Sequence, residues 1–133
     1  MSLSLFALMM SSPVAAVAPA EPVMPKPATI LAETKRVADW QLANRTNWAT
    51  MPAARKSVQE VRDWQQATFW IALTELANRD KAYAKPLLDL GRAEKWQMGD
   101  LPFHADDQLI GQAWLWAAQN GAGKKAIAPM RAY

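Results

Sequence analysis

The stretch Phe-His-Ala-Asp-Asp-Gln-Leu-Ile-Gly-Gln-Ala-Trp-Leu-Trp, residues 103–116, places two adjacent carboxylates and a histidine at the start of an apolar, helix-forming run. Asp106 and Asp107 stand where the positive end of a helix dipole favours ionised carboxylates, and aspartate is also a preferred helix cap. His104 stands just before this acidic pair. The stretch therefore predicts a helix over about residues 106–120 whose N-terminus carries a candidate site.

Two helices are predicted in the first half of the chain. Apolar residues at helical spacing indicate a helix from Thr29, its cap, to about Ala43. Ser57 and Glu60 have the spacing of a capping box, in which each side chain satisfies a backbone N–H near the other residue. The second helix is therefore predicted to begin at this box.

The third and fourth predicted helices are recognised from the residues at their ends. Asp80 opens the third, and Pro86 predicts either a kink or a helix that begins at the proline, because a mid-helix proline removes a hydrogen bond. A loop is expected at residues 97–102, and the glycines of residues 121–123 stop the fourth helix. Four helices with short connections predict an all-α fold of about two antiparallel helical hairpins.

The N-terminus has the pattern of an export signal. Residues 1–20 contain a short apolar run followed by a small-x-small cleavage pattern, although no Lys or Arg precedes the run. The run is too short to span a bilayer, which needs about 20 apolar residues, so no membrane span is expected. Prolines in residues 21–28 predict an extended linker. We expect an exported protein, with a disordered tail as the alternative.

Composition excludes several classes of function. The 133 residues suffice for one small domain, and the absence of cysteine excludes disulfides and a thiolate nucleophile. The net charge is +3, but the basic residues are scattered, so no nucleic-acid partner is expected. One histidine beside two acids gives no metal-ligand spacing, and the glycine-rich run at residues 121–125 lacks the phosphate-loop pattern. No metal and no cofactor is predicted.

Seven tryptophans distinguish the chain, and large flat rings either fill a helical core or stack on sugars. At helical spacing, core packing is the commoner role, and we assign it to about five of the seven. Trp40 and Trp64 are the candidates for stacking on a sugar, with burial in the core as the favoured alternative for each.

Several segments resemble the unsaturated-uronyl hydrolases of glycoside hydrolase families 88 and 105. The resemblance covers residues 37–133, and its most specific part is His104-Ala105-Asp106-Asp107 followed by Gly111-Gln112. Segments 37–43 and 63–73 resemble the first helices of the family. The family fold is an (α/α) toroid of the six-hairpin glycosidase type, a closed ring of about twelve helices. Such a ring is longer than a typical domain of ~100–150 residues. The resemblance therefore implies that residues 29–133 are the N-terminal part of a longer, truncated toroid domain.

The resemblance also implies an unusual reaction. These enzymes act on acidic oligosaccharides, derived from pectin or glycosaminoglycans, that carry an unsaturated uronic acid at the non-reducing end. An aspartic acid donates a proton to the ring C4–C5 double bond, water adds at the adjacent carbon, and the hemiketal opens to release the leaving sugar. Such chemistry needs one carboxyl held protonated and a second carboxylate that orients the water.

Site roles follow from alignment with the family motif. Asp106 takes the position of one functional aspartate, and Asp107 is interpreted as a cap or supporting partner; the alternative is that both only cap the helix. His104 is the candidate for binding the uronate carboxylate, with loop packing as its alternative. The family's other acid, in a Trp-x-Asp segment, has no counterpart in the chain. The alternatives to an enzyme are a truncated, inactive gene product and a small helical module that binds acidic sugars or a partner chain.

Overall fold

The computed structural model describes residues 24–46, 60–101 and 103–132. This part of the chain contains no β-strand, which confirms the all-α prediction. Its five α-helices are α1 (Pro27–Asn44), α2 (Trp64–Arg79), α3 (Ala84–Ala93), α4 (Ala105–Leu109) and α5 (Gly111–Ala117). The expected signal at residues 1–20 lies outside the described residues.

Helix α1 begins earlier than the sequence predicts. Pro27 is its first residue, after an extended Lys26, so Thr29 is not the cap. Proline suits this position because its φ angle is already helical and its missing N–H needs no partner there. The expectation that residues 21–28 form only a linker is therefore wrong for the last two of them. The helix ends at Asn44, close to the predicted Ala43.

Helix α2 begins later than predicted. Its cap is Asp63, whose carboxylate accepts a hydrogen bond from the backbone N–H of Gln65 at 3.3 Å. Ser57 lies outside the described residues, but Glu60 and the residues up to Asp63 form turns and a bend. The prediction that the helix starts at the Ser57–Glu60 box is therefore wrong, because Asp63 supplies an equally good cap closer to the apolar run.

Pro86 lies in the first turn of α3. A short 3₁₀ turn at Lys81–Tyr83 leads into the helix, which begins at Ala84. N–H groups in the first turn have no acceptor within the helix, so the proline removes no intrahelical hydrogen bond. The helix therefore starts just before the proline, where the sequence predicts either a kink or a start at the proline itself.

The predicted fourth helix is divided into α4 and α5 at Ile110. This residue keeps near-helical angles (φ −59°, ψ −24°), so the chain continues in the same helical sense. After α5 the chain widens into a π-type turn over Ala118–Ala122. Gly121 has a φ of 111°, which only glycine adopts easily, and this confirms the predicted stop.

The core lies between α2, α3 and α5. Trp114 is fully buried and meets Trp96 edge-to-face, with ring centroids 5.4 Å apart and an interplanar angle of 88°. Such pairs add to the burial of aromatic surface. The largest fully buried side chains are Trp70, Leu73, Leu87, Ile110 and Trp114. This core holds the start of α4, and therefore the acidic pair, in a defined position.

Helix α1 is joined to the core by two partly buried leucines, Leu31 and Leu42, and by polar contacts. Its one buried residue is Ala38. The Tyr83 hydroxyl donates to Asp39 at 2.8 Å, and Lys35 forms an ion pair with Asp80 at 2.5 Å. Within the described residues, no helix is both long and apolar enough to cross a membrane.

Candidate functional site

The acidic pair lies in the first turn of α4, as predicted, but neither residue is the helix cap. His104 occupies the cap position, and its side chain makes no capping hydrogen bond. The interpretation of Asp106 and Asp107 as helix caps is therefore wrong. Both carboxylates remain where the helix dipole favours negative charge.

Asp107 is held against the loop that precedes its helix. Its Oδ2 accepts a hydrogen bond from the Leu101 backbone N–H at 3.3 Å, and its carbonyl accepts one from Gly99 at 2.8 Å. His104 Nδ1 lies 3.7 Å from the same Oδ2. These contacts fix the Asp107 carboxylate relative to the backbone, as a positioned functional group requires.

Gly99 permits this close approach. A Cβ atom at position 99 would lie 2.1 Å from Asp107 Oδ1 and 2.3 Å from its Cβ. No real side chain tolerates such distances, so the loop backbone packs directly on the acid. Glycine at position 99 is therefore needed for the loop to pack against Asp107.

The loop is anchored on its other side by Arg62. The guanidinium donates a hydrogen bond to the Met98 carbonyl, and its Nε lies 3.4 Å from Glu94. A further ion pair, at 3.8 Å, joins Arg62 to Asp100. At the start of the loop, Trp114 Nε1 donates to the Gln97 carbonyl at 2.9 Å. The loop that contacts Asp107 is thus joined to Arg62, in the turn before α2, and to the buried Trp114 of the core.

A cleft of about 320 Å³ opens beside this loop, within the size range of small-ligand sites. It is lined by Glu60, Arg62, Asp63, Gly99, Asp100 and Asp107. Asp106, by contrast, is exposed and outside this lining. No hydrogen bond or ion pair reaches its carboxylate from the described residues, so the two neighbouring acids have different surroundings.

The tryptophans divide into buried and exposed groups. Trp40 is 54% exposed and Trp64 is 46% exposed, so the expectation that these two fill the core is wrong. Trp64 follows Asp63, a residue of the cleft, whereas Trp40 lies near the end of α1 and does not line the cleft. Trp70, Trp96 and Trp114 are buried, Trp116 is half-buried, and Trp48 lies outside the described residues. The two candidate stacking residues are available to a ligand.

Sequence reasoning missed Arg62, Gly99 and the exposed Phe103 as parts of this region. Phe103 is 93% exposed beside the acidic turn. Arg62 and Gly99 belong to no motif, and their roles depend on contacts between segments far apart in sequence. The described residues contain no cluster of His, Asp or Glu that could hold a metal ion.

Comparison with known proteins finds similarity to an unsaturated 3S-rhamnoglycuronyl hydrolase from Alteromonas sp. (strain LOR), with 31% identity over 98 residues. The aligned region covers 71% of this chain and 24% of the Alteromonas protein, so the chain spans about a quarter of that relative's length. No protein-family model matches the chain. No solved structure matches it. This distant similarity supports a resemblance at the level of the family.

Proposed function

We propose that the chain is part of a glycoside hydrolase that removes an unsaturated uronic acid from the non-reducing end of lyase-generated acidic oligosaccharides. The all-helical fold and the similarity to the Alteromonas hydrolase support this function. In this proposal the helices belong to an (α/α) toroid whose remaining hairpins come from further chain. The observation that carries the proposal is the Asp107 carboxylate, which the Leu101 N–H holds in place at the edge of a ligand-sized cleft.

Asp107 is the better candidate for the working carboxylate. Sequence alignment favours Asp106, but Asp107 lines the cleft and Asp106 does not. Adjacent residues on a helix point about 100° apart, so the two acids cannot both face one substrate. We therefore assign the site role to Asp107 and leave Asp106 as a solvated acid outside the cleft.

In the proposed reaction, Asp107 orients the water. A second carboxyl group donates a proton to C4 of the unsaturated ring. The water held by Asp107 then bonds through its oxygen to C5, passes one proton to the Asp107 carboxylate and keeps the other as the new hydroxyl group. The resulting hemiketal opens and the leaving sugar departs. The acceptor role suits Asp107, because the Leu101 N–H holds its carboxylate in place and the residue lines the cleft. The proton donor corresponds to the family's Trp-x-Asp segment.

The exposed rings and His104 supply candidate contacts for the sugar. Trp64 stands next to the cleft residue Asp63, so its ring is available to stack on a pyranose face. His104 is half-exposed beside Asp107 and is proposed to hydrogen-bond the uronate carboxylate. Trp40, on α1, is assigned to a more distant sugar residue of the oligosaccharide.

The test is hydrolysis of an unsaturated uronyl disaccharide, followed by loss of the alkene's ultraviolet absorbance. The 133-residue chain alone is expected to be inactive, because the proton donor is outside it. Expressed with the coding sequence that follows it in its genome, the protein is expected to turn over substrate. Asp107→Asn should then lower turnover by about 10²-fold or more, and Asp106→Asn serves as the matched control with a smaller effect.

Two outcomes would contradict these assignments. Turnover by the 133-residue chain itself would require both catalytic carboxyls to lie within it. A larger loss from Asp106→Asn than from Asp107→Asn would return the site role to Asp106.

A second candidate function is a helical module that binds acidic sugars without catalysis. The exposure of Trp40 and Trp64 favours it, because exposed indole rings are free to stack on the faces of sugars. Quenching of tryptophan fluorescence by an acidic disaccharide, with no loss of the alkene in the longer protein, would support the module over the enzyme.

Export of the protein is also proposed, on the pattern of residues 1–20. Expression of the complete coding sequence, followed by N-terminal sequencing of the mature protein, tests it. A mature protein that begins near Glu21 supports export, whereas a retained N-terminus contradicts it.

A further inference from the structure

Asn120 directly precedes Gly121 in the turn that ends α5, and asparagine is a chemically labile residue. The backbone nitrogen of the residue after an asparagine can attack the carbon of its side-chain amide, Cγ. Glycine leaves the most room for this attack, because it has no Cβ and rotates freely. Of the four asparagines in the chain, Asn120 alone precedes a glycine. The sequence therefore singles out Asn120 as a candidate for spontaneous deamidation.

The backbone of Asn120 holds the two reacting atoms apart. Attack closes a five-membered ring, which requires the Gly121 nitrogen and the Asn120 Cβ to lie on the same side of the Cα–C bond. Asn120 has a φ of −117° and a ψ of 38°. The substituents of the tetrahedral Cα are spaced evenly around this bond, so the observed ψ leaves the Gly121 nitrogen nearly opposite Cβ. The native turn therefore prevents ring closure.

A hydrogen bond holds the side chain of Asn120 as well. Its Nδ2 donates to the Trp116 carbonyl at 2.8 Å, and the residue is half-buried. Gly121, with a φ of 111°, sits in the left-handed region that favours glycine. Ring closure has to break the hydrogen bond to Trp116 and rotate ψ of Asn120, so the turn over Ala118–Ala122 must open first.

We propose that Asn120 is a deamidation site whose reaction is controlled by the opening of this turn. In the open state, the Gly121 nitrogen loses its proton to hydroxide and bonds to Cγ of Asn120. The bond from Cγ to Nδ2 then breaks, and Nδ2 takes a proton from water and leaves as ammonia. Water opens the resulting succinimide at Cγ to give aspartate, or at the backbone carbonyl carbon to give isoaspartate.

The reaction products do not fit the native turn. An ionised carboxylate at position 120 has no N–H to donate to the Trp116 carbonyl, and its oxygens repel the carbonyl oxygen. Isoaspartate, in addition, lengthens the backbone by one methylene group. The turn therefore cannot close again as it was, and a transient opening becomes a permanent change at the end of α5. The inference does not rest on the hydrolase proposal, because it concerns this turn and not the cleft at Asp107.

The test compares the 133-residue chain in native buffer and in concentrated urea, at the same pH and temperature. Peptide mapping by mass spectrometry, with a measurement of isoaspartate, follows the conversion of each asparagine. Asn120 is expected to convert more slowly in native buffer by about tenfold or more, for which an opening free energy of about 1.4 kcal/mol is sufficient. In urea, Asn120 is expected to convert faster than Asn78, which precedes an arginine.

Two substitutions vary the stability of the fold around the turn. Trp114→Ala removes a fully buried ring of α5 and should raise the conversion of Asn120 in native buffer toward its value in urea. Trp40→Ala makes the same change on the exposed side of α1 and should leave the conversion unchanged. Three results would each overturn the proposal: equal conversion in the two solvents, slower conversion of Asn120 than of Asn78 in urea, or equal effects of the two substitutions in native buffer.

Discussion

Helix α1 buries one residue, Ala38, whereas the slightly shorter α2 buries seven. The two helices are therefore held in different ways. Helix α2 lies within a close-packed interior where its side chains meet α3, α4 and α5. Helix α1 instead combines two partly buried leucines with the Tyr83–Asp39 hydrogen bond and the Lys35–Asp80 ion pair. Arg45, directly after its last residue, adds a contact with the Trp70 ring.

The difference predicts two kinds of sensitivity. Close-packed interiors respond strongly to changes in side-chain volume, because the surrounding atoms relax only partly. A helix with one buried residue and several polar contacts responds more to pH and to the loss of a single hydrogen bond, and it can detach while the rest stays folded. The predictions below test this contrast from the largest expected effect to the smallest.

Trp114→Ala is expected to lower the free energy of unfolding by about 3–5 kcal/mol, because it leaves a large cavity and removes the hydrogen bond to Gln97. Trp40→Ala makes the same chemical change on the exposed side of α1 and should cost less than about 0.5 kcal/mol. Urea unfolding of both variants provides the comparison. Similar losses in the two would show that α1 is packed as tightly as the core.

Gly91→Ala is expected to cost about 1–3 kcal/mol through overpacking, since the new Cβ would lie 1.9 Å from Cζ3 of Trp96. The tryptophan cannot easily move, because it and Lys95 already hold left-handed backbone angles, with φ of 61° and 51°. The double variant Gly91→Ala/Trp96→Ala should lose less free energy of unfolding than the two single variants lose together. If urea unfolding shows that the two losses simply add, the predicted clash between the new Cβ and the Trp96 ring is contradicted.

Tyr83→Phe is expected to cost about 0.5–1.5 kcal/mol, the value of one hydrogen bond. Burial, and then the hydrogen bond to Asp39, raises the pKa of Tyr83 from 10.0 to about 12. The phenol is therefore protonated more strongly when folded, so its contribution is complete below pH 10 and is lost as the pH rises from 10 to about 12. Unfolding measured across this range should show the loss in the native chain and not in the phenylalanine variant.

The smallest effect is expected at the exposed Lys35–Asp80 pair. The hydrogen bond from Lys35 holds the pKa of Asp80 below its ordinary value of 3.8. The contribution of Asp80 is thus present above pH 3.8 and is lost as the pH falls through the lowered pKa. Lys35→Gln should reduce this acid dependence, and hydrogen exchange of the α1 amides should increase. An unchanged exchange rate would exclude the pair as a tether of α1.

Local signals were sufficient for much of the fold. The all-α class, the end of α1 and the stop at Gly121 each depend on residues close in sequence, and the structure confirms all three. The start of α2 was misplaced because Ser57 and Asp63 are both good caps, and only packing of the apolar run selects the latter.

The candidate site, like the fold, has features that local sequence predicts and features that it does not. The first-turn position of the acidic pair follows from helical periodicity, but the position of the Asp107 carboxylate depends on a loop that Arg62, in the turn before α2, holds in place. The exposure of Trp40 and Trp64 likewise depends on which helices surround them. Contacts between distant segments leave no mark in a single sequence.

Gly99 has a consequence for how homologous sequences vary. Because a Cβ at this position would lie 2.3 Å from the Cβ of Asp107, any residue other than glycine forces the loop away from α4. A homologue with a side chain at position 99 would then lose the backbone contacts that orient the acid. The residue at position 99 is therefore expected to show, from sequence alone, which homologues hold the carboxylate of Asp107 against this loop. Homologues with glycine at 99 should hold it there, and homologues with any other residue should not.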